Sequence, residues 1–199
     1  MKNIIPIIVA ATIVFAACTN STSDKKGNNT DAAQATTKPA DSPAMQVTKP
    51  NETKAVASIA EILSSYIKMK NALAKDNDKE AAEAGNEMVQ AFTGFNKTAL
   101  TFEQAKIYGD IEDDAREHAE HIGSNAGNIK HQREHFDMLS KDIYQLVKAF
   151  GGGQKLYYDR CPMYNDGKGA NWISETKEIA NPYLGKAMPT CGTIKEELQ

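Results

Sequence analysis

Apolar residues recur at the period of an amphipathic helix through most of the chain from Val56 to Phe150. Short polar stretches interrupt this pattern at Asp76 to Asp78, near Thr101 and from Gly123 to Asn128. The pattern therefore predicts four helices of roughly 20 residues each. Since short loops leave each helix beside its predecessor, we expect an up-and-down four-helix bundle over residues 55–153 and a mainly α fold.

The segment after the bundle, residues 154–199, has a different character. Gly151 to Gly153 end the fourth helix, and turn residues are frequent beyond them. Two short runs, 156–160 and 170–174, have the composition of strands on either side of a glycine-containing turn. We expect an irregular C-terminal segment with a short β-hairpin, packed on the bundle as part of the same domain.

The first 17 residues have the features of a signal peptide. Lys2 supplies a positive charge, and the apolar run from Ile4 to Phe15 is too short to span a bilayer. The run from Phe15 to Cys18 resembles the lipobox of bacterial lipoproteins, whose cysteine becomes the lipidated first residue. The resemblance implies that Cys18 anchors the protein to a bacterial membrane, facing the periplasm, and we expect the outer membrane. The alternative is an ordinary signal peptide in which Cys18 occurs by chance.

Residues 18–54 are predicted to form a lipidated cysteine and a tether. Polar residues, alanine and proline make up most of this stretch, and Met45 and Val47 are nearly alone as apolar residues. So few apolar side chains cannot bury enough surface to offset the entropy lost on ordering. We therefore expect a disordered linker that lets the folded domain move near its membrane without leaving it.

Charge and motif content argue against two broad classes of function. The formal net charge is −3, with both signs interspersed along the chain. Nucleic-acid backbones are bound by basic surfaces, so no nucleic-acid partner is expected. No nucleophile, base and orienting group fall into a recognisable catalytic arrangement, so we do not expect an enzyme.

Sulfur-containing side chains form two pairs in the C-terminal segment. Cys161 and Met163 are two residues apart, and Met188 and Cys191 are three apart. Thiolates and thioethers are soft donors that favour Cu(I) over Mg²⁺ or Ca²⁺, so these four residues are candidate metal ligands. With Cys18 lipidated, however, Cys161 and Cys191 are an even pair of cysteines in an oxidising compartment. A Cys161–Cys191 disulfide is therefore the alternative.

All four histidines lie on the third and fourth predicted helices. Antiparallel pairing of these helices across the turn from Gly123 to Asn128 would bring the histidines toward one end of the bundle, and His131 and His135 have the i, i+4 spacing that lets two imidazoles share a metal. Counted along each helix, His118 lies on the apolar face, His121 and His135 flank that face, and His131 lies well outside it. This count does not predict convergence. The four histidines are therefore the weaker metal candidates, and the alternative is one core histidine with solvated ones.

The C-terminal segment also carries a pattern that extends beyond its sulfur residues. In chain order it contains Tyr158, Cys161-Pro162-Met163, Trp172, Lys177-Glu178-Ile179, Asn181-Pro182-Tyr183, Gly185, Met188 and Cys191-Gly192. This order and spacing resemble a bacterial domain of unknown function that occurs as free lipoproteins and fused to periplasmic adaptor subunits of copper and silver efflux systems. The run from His131 to Ser140 is similar to the last helix of that domain, so the resemblance covers roughly residues 55–192.

The resemblance implies a stand-alone accessory protein of heavy-metal efflux, because the chain has no adaptor hairpin or barrel. Carried onto this sequence, it implies that Cys161, Met163, Met188 and Cys191 bind Cu(I) or Ag(I), and that a periplasmic efflux adaptor is a partner. The expected role is that of a metal carrier or sensor. The alternative from another class is a structural interaction module, in which a Cys161–Cys191 disulfide holds a surface that docks on the adaptor.

Overall fold

The structure is a computed structural model, which describes the backbone of residues 52–199 and the side chains of residues 59–199. The predicted signal peptide, Cys18 and nearly all of the predicted tether lie outside the described residues. The four predicted helices are α1 (Glu52–Ala74), α2 (Asp78–Thr93), α3 (Phe102–Ser124) and α4 (Ile129–Phe150). Single 3₁₀ turns occur at Lys97–Ala99 and Gly185–Ala187. Within residues 52–199, no helix is both long enough and apolar enough to cross a membrane.

Side-chain caps fix where the helices begin. At the start of α3, the Thr101 hydroxyl accepts a hydrogen bond from the Gln104 backbone N–H, and the Gln104 side chain accepts one from the Thr101 backbone. This reciprocal arrangement is a capping box, which satisfies two backbone donors that a helix N-terminus leaves unpaired. Asn77 caps α2 and Asn128 caps α4 in the simpler way, each by accepting one backbone N–H.

The helices form the predicted bundle: each packs against the next, and α4 returns to contact α1. The apolar faces of the four helices form the core, and the largest core side chains include stacked aromatic rings. Tyr66 on α1 stacks on Phe136 of α4 with ring centroids 5.0 Å apart, and Phe95 stacks on Tyr108 at 4.1 Å. These pairs join parts of the chain that are not adjacent in sequence. Burial of the apolar helix faces, rather than the helix propensity of each segment, therefore holds the bundle together.

The predicted hairpin is present as β1 (Leu156–Cys161) and β2 (Ala170–Ser174). A third strand, β3 (Thr193–Leu198), was not predicted; it pairs with the other edge of β1, so the antiparallel order is β2-β1-β3. The segment after the bundle is therefore more regular than expected. The sheet packs through β2 against α4 and α1.

The hydroxyl of Tyr66 links the sheet to the bundle. It lies 2.8 Å from the Ser140 hydroxyl on α4 and accepts a hydrogen bond of 3.0 Å from the Ile173 backbone N–H on β2. The Tyr183 hydroxyl donates to the Asn171 backbone carbonyl of β2. Because Tyr66 and Tyr183 are fully buried, these bonds place β2 at one position on the helices.

Candidate functional site

The sheet brings the two cysteines of the C-terminal segment together. Cys161 ends β1, and Cys191 comes two residues before β3, the antiparallel neighbour of β1. Arg160 pairs with Thr193 in this register. Cys161 follows Arg160 and Cys191 shortly precedes Thr193, so the two cysteines lie close together. The Sγ atoms of Cys161 and Cys191, which we call the cysteine pair, are 3.0 Å apart.

Hydrogen bonds made by Asn181 fix the loop that carries Cys191. The buried Asn181 amide donates to the Cys191 backbone carbonyl at 2.6 Å, and its Oδ1 accepts the backbone N–H groups of Tyr183 and Leu184. The Asn181 backbone N–H donates to the Pro189 carbonyl, which closes the loop. Asn181 thus positions Cys191. A search of the sequence for metal-donor side chains missed Asn181 because it carries no sulfur. The feature that could have pointed to it is the Asn-Pro-Tyr motif at residues 181–183.

Close packing also explains the glycine that follows Cys191. A Cβ atom at Gly192 would lie 2.7 Å from the Trp172 ring, a distance that real Cβ atoms do not tolerate. The ring of Tyr164 stacks on Tyr183 at 4.6 Å, which joins the loop after Cys161 to the loop before Cys191. The motif residues therefore build the surroundings of the cysteine pair.

The two thiols have unequal acidity. Burial raises the pKa of Cys161, but the Cys191 thiol, the Met163 N–H, the Asn181 amide and the Tyr164 N–H together lower that pKa below its ordinary value. The hydrogen bond to Cys161, followed by burial, raises the pKa of Cys191. Cys161 therefore loses its proton first, and Cys191 donates to the thiolate. A thiolate is the form that binds metals.

The thioethers of Met163 and Met188 lie on the loops that carry the cysteines. Both side chains are exposed, with 58% of Met163 and 42% of Met188 accessible to solvent. The Cys191 backbone N–H donates to the Met188 carbonyl, so Met188 and Cys191 belong to one turn. The structure thus brings the two thiols into contact. The two thioethers, which are close to the cysteines in sequence, lie at the protein surface.

A cleft of about 190 Å³ opens beside the cysteine pair. Cys191, Pro162 and Gly192 line it, together with the cationic side chains of Arg160 and Lys195. Two thiolates around a monovalent ion carry a net negative charge, and nearby cations stabilise such a charge. The cleft therefore provides both access from solvent and a favourable electrostatic setting.

The four histidines converge, which the helical count did not predict. His118, His121, His131 and His135, which we call the histidine cluster, lie on facing turns of α3 and α4. His135 is central: its ring stacks on His121 at 4.2 Å and lies edge-on to His131 at 4.5 Å, and its Nδ1 is 3.2 Å from Nδ1 of His118. Counting along each helix alone could not show this, because residues on facing flanks of two helices are neighbours.

The histidine cluster can hold a metal ion. One ligand nitrogen from each of His121, His131 and His135 can be chosen so that all three lie within 4.8 Å of one another. Burial, followed by the neighbouring histidines, lowers the pKa of His135 to about 4, and burial lowers the pKa of His118. Both imidazoles are therefore neutral at neutral pH, and a neutral imidazole has a lone pair available for a metal.

Residues 62–155 match the model of a family described as a protein of unknown function (DUF3347). This stretch is similar to a domain of unknown function. That part of the predicted resemblance is confirmed, whereas the association with lipoproteins and efflux adaptors stays a prediction. The matched residues include the histidine cluster and end before the cysteine pair. Comparison with curated proteins finds no match, and comparison with solved structures finds none either.

Proposed function

We propose that this protein binds a soft monovalent metal ion, Cu(I) or Ag(I), at the cysteine pair, as an accessory carrier or sensor in heavy-metal efflux. The observation that carries the proposal is the contact between Cys161 and Cys191 at 3.0 Å beside a solvent-open cleft. Thiolate sulfur is the donor type that prefers such ions. Met163 and Met188 are the proposed additional ligands, since each is close in sequence to one cysteine.

Metal binding at this position requires a small movement. Two sulfur ligands at about 2.3 Å from a tetrahedral ion lie roughly 3.8 Å apart, farther than in the observed contact. Cys191 is the side chain expected to move, because it is only partly buried, whereas Cys161 is fully buried. Loss of the shared proton accompanies this separation, so the affinity should fall as the pH is lowered.

Competition with a colorimetric Cu(I) chelator tests the proposal. The reduced protein should withdraw one equivalent of Cu(I). Cys161→Ser and Cys191→Ser should abolish this competition, while Met163→Leu and Met188→Leu should weaken binding by about tenfold, because they remove a neutral donor only. Met138→Leu is the matched control, since Met138 is an exposed methionine of α4 outside the two pairs. A reduced wild-type protein that takes no Cu(I) would overturn the proposal.

The same contact favours a second function, that of an interaction module held by a Cys161–Cys191 disulfide. The sulfurs are near enough to bond upon oxidation, and predicted exposure to the periplasm would supply oxidising conditions. Counting free thiols in protein purified in air, before and after reduction, separates the two functions. Absence of free thiols before reduction, together with no Cu(I) binding after it, would favour the module.

The proposed setting is a periplasm-facing lipoprotein anchored through Cys18, with a periplasmic efflux adaptor as its partner. The support is the lipobox-like run from Phe15 to Cys18 and the resemblance of the C-terminal segment. Cys18→Ser should prevent fatty-acid labelling and release the protein from membranes. Retention of label in that variant would contradict the anchor.

A further inference from the structure

The histidine cluster is a second group of potential ligands and shares no residue with the cysteine pair. It spans the turn between α3 and α4, with His118 and His121 before the turn and His131 and His135 after it. Their rings pack against one another, which places them close enough to act together. All four side chains are half-buried, so solvent and an ion can reach them.

Three imidazoles of the histidine cluster are close enough to be drawn onto one metal ion. Two nitrogen ligands at roughly 2.0–2.1 Å from a tetrahedral ion lie about 3.3–3.4 Å apart. The chosen nitrogens of His121, His131 and His135 lie within 4.8 Å of one another, so binding one ion requires these partly exposed side chains to rotate and draw their nitrogens closer together. His131 and His135 are one helical turn apart, and α4 therefore presents both to the same point.

We propose that His121, His131 and His135 bind one divalent transition-metal ion, of the class that includes Zn(II) and Cu(II), and that His118 positions His135. Imidazole is the donor that this class of ion prefers, whereas the cysteine pair suits soft monovalent ions. The two sites therefore differ in location, donor type and metal class.

The surroundings of the histidine cluster favour a cation. The Glu117 carboxylate is 3.8 Å from Nε2 of His121, and the Glu134 carboxylate is 3.6 Å from Nδ1 of His131. Carboxylates next to metal-binding imidazoles orient the rings and raise their basicity. The 3.2 Å contact between the Nδ1 atoms of His118 and His135 provides the third ring with an orienting partner.

A bound ion would link the last turns of α3 to the first turns of α4. It would thereby fix the hairpin formed by these two helices, and a ligand that binds only the folded state raises its stability. Metal occupancy at the histidine cluster should therefore be visible as an increase in the Tm of the protein, separately from any direct measurement of binding.

Zn(II) titration by calorimetry tests the site in protein carrying Cys161→Ser and Cys191→Ser, a background that removes the sulfur donors. We expect one equivalent of Zn(II) to bind and to raise the Tm. His121→Ala, His131→Ala and His135→Ala should each weaken binding by more than about 100-fold, and Glu120→Gln, which alters the neighbour of His121 without removing an imidazole, should leave it unchanged. Equal Zn(II) binding by the parent and by the triple alanine variant would overturn the site.

The role of His118 is tested with Cu(II) as a spectroscopic probe in the same background. His118→Ala should weaken binding by about 10–100-fold, and His118→Gln, which keeps a hydrogen-bonding side chain, should recover most of it. Nitrogen hyperfine splitting in the electron paramagnetic resonance spectrum should show the same number of coordinated nitrogens in His118→Ala as in the parent. Loss of one nitrogen in that variant would make His118 a ligand and overturn its positioning role.

These measurements are independent of the proposed function at the cysteine pair. The triple histidine variant with both cysteines intact should compete for Cu(I) as the wild type does. Loss of Cu(I) competition in that variant would show that the two sets of residues form a single site and would overturn the assignment of a separate divalent site.

Discussion

Asp159 is a fully buried carboxyl group in the middle of β1. Neither of its oxygens has a hydrogen-bond partner among residues 59–199. The nearby Lys70 is also buried, but its ammonium group pairs with Glu175 at 2.7 Å. Burial consequently raises the pKa of Asp159 to about 6, and the charge of Lys70 offsets this rise only in part. Ionisation of Asp159 is thus unfavourable to the folded state.

Asp159→Asn should change how stability depends on pH. In the wild type the folded-state pKa of Asp159 lies above its unfolded value, so this residue destabilises the fold above about pH 6 and ceases to do so as the pH falls toward 4. The variant should be more stable than the wild type at pH 7.5, by about 1–3 kcal/mol, and should lose this advantage progressively as the pH falls from about 6 to about 4. Urea unfolding at several pH values measures the difference.

Asp113→Asn is the control for this comparison, because the Asp113 side chain is 91% exposed and its loss should alter stability little at any pH. A stability difference between wild type and Asp159→Asn that stays constant from pH 5 to 8 would contradict the assignment of the raised pKa.

The crossing of α2 and α3 depends on two glycines in contact. A Cβ atom at Gly85 would lie 2.8 Å from the Ala119 carbonyl oxygen and 2.8 Å from the Gly123 backbone nitrogen. A Cβ atom at Gly123 would in turn lie 2.4 Å from the Asn86 side chain. The two helices therefore approach more closely than any other residue would permit. This contact is next to the end of α3 that carries His121, so the helix spacing also sets the position of the histidine cluster.

Gly85→Ala should destabilise the protein by about 1–3 kcal/mol, although alanine is the better helix former, because its methyl group would separate α2 from α3. Gly109→Ala is the matched control: Gly109 is a helical glycine of α3, and a methyl group added there would meet no neighbouring element of the described chain within 4 Å. That substitution should stabilise the protein by about 0.5–1 kcal/mol. Urea titration measures the free energy of unfolding of each variant. If Gly85→Ala and Gly109→Ala shifted this free energy in the same direction, the close crossing of α2 and α3 would be contradicted.

The sheet covers part of the bundle core, so we expect the bundle and the sheet to unfold together. The faces of α1 and α4 that carry Tyr66 and Phe136 are covered by β2 and by Tyr183. The family match, residues 62–155, ends at the start of the sheet and does not include these covering residues. The matched stretch is therefore not expected to fold completely by itself.

A truncated protein ending at residue 155 should retain helical circular dichroism but unfold over a broader range of urea than the protein that includes the sheet. The reason is that loss of β1, β2 and β3 exposes Tyr66 and leaves its hydroxyl without the Ile173 donor. The slope of the unfolding transition and amide hydrogen exchange measure the effect. If the truncated protein unfolded in urea as steeply as a folded domain of its length, and its core amides were protected from exchange, the bundle would be shown to fold without the sheet.

The four helices and the hairpin could be predicted because their signals are local. Apolar residues at helical spacing, the Thr101–Gln104 capping box and the turn-rich stretch between β1 and β2 each depend on neighbours in the chain. The strand β3 could not be recognised in this way. It is an edge strand rich in exposed charged residues, with Leu198 its one fully buried side chain, so no alternating apolar pattern marks it.

The amino-acid sequence by itself determined the helical class of the fold and the chemical nature of the donors, since thiols, thioethers and imidazoles are fixed by residue type. The tertiary structure decided which of them meet. Cys161 and Cys191 are in contact because β3 pairs with β1, and the histidines converge because the flanks of α3 and α4 face each other. Both contacts join elements through pairings that depend on burial of the whole core, and no window of neighbouring residues contains that information.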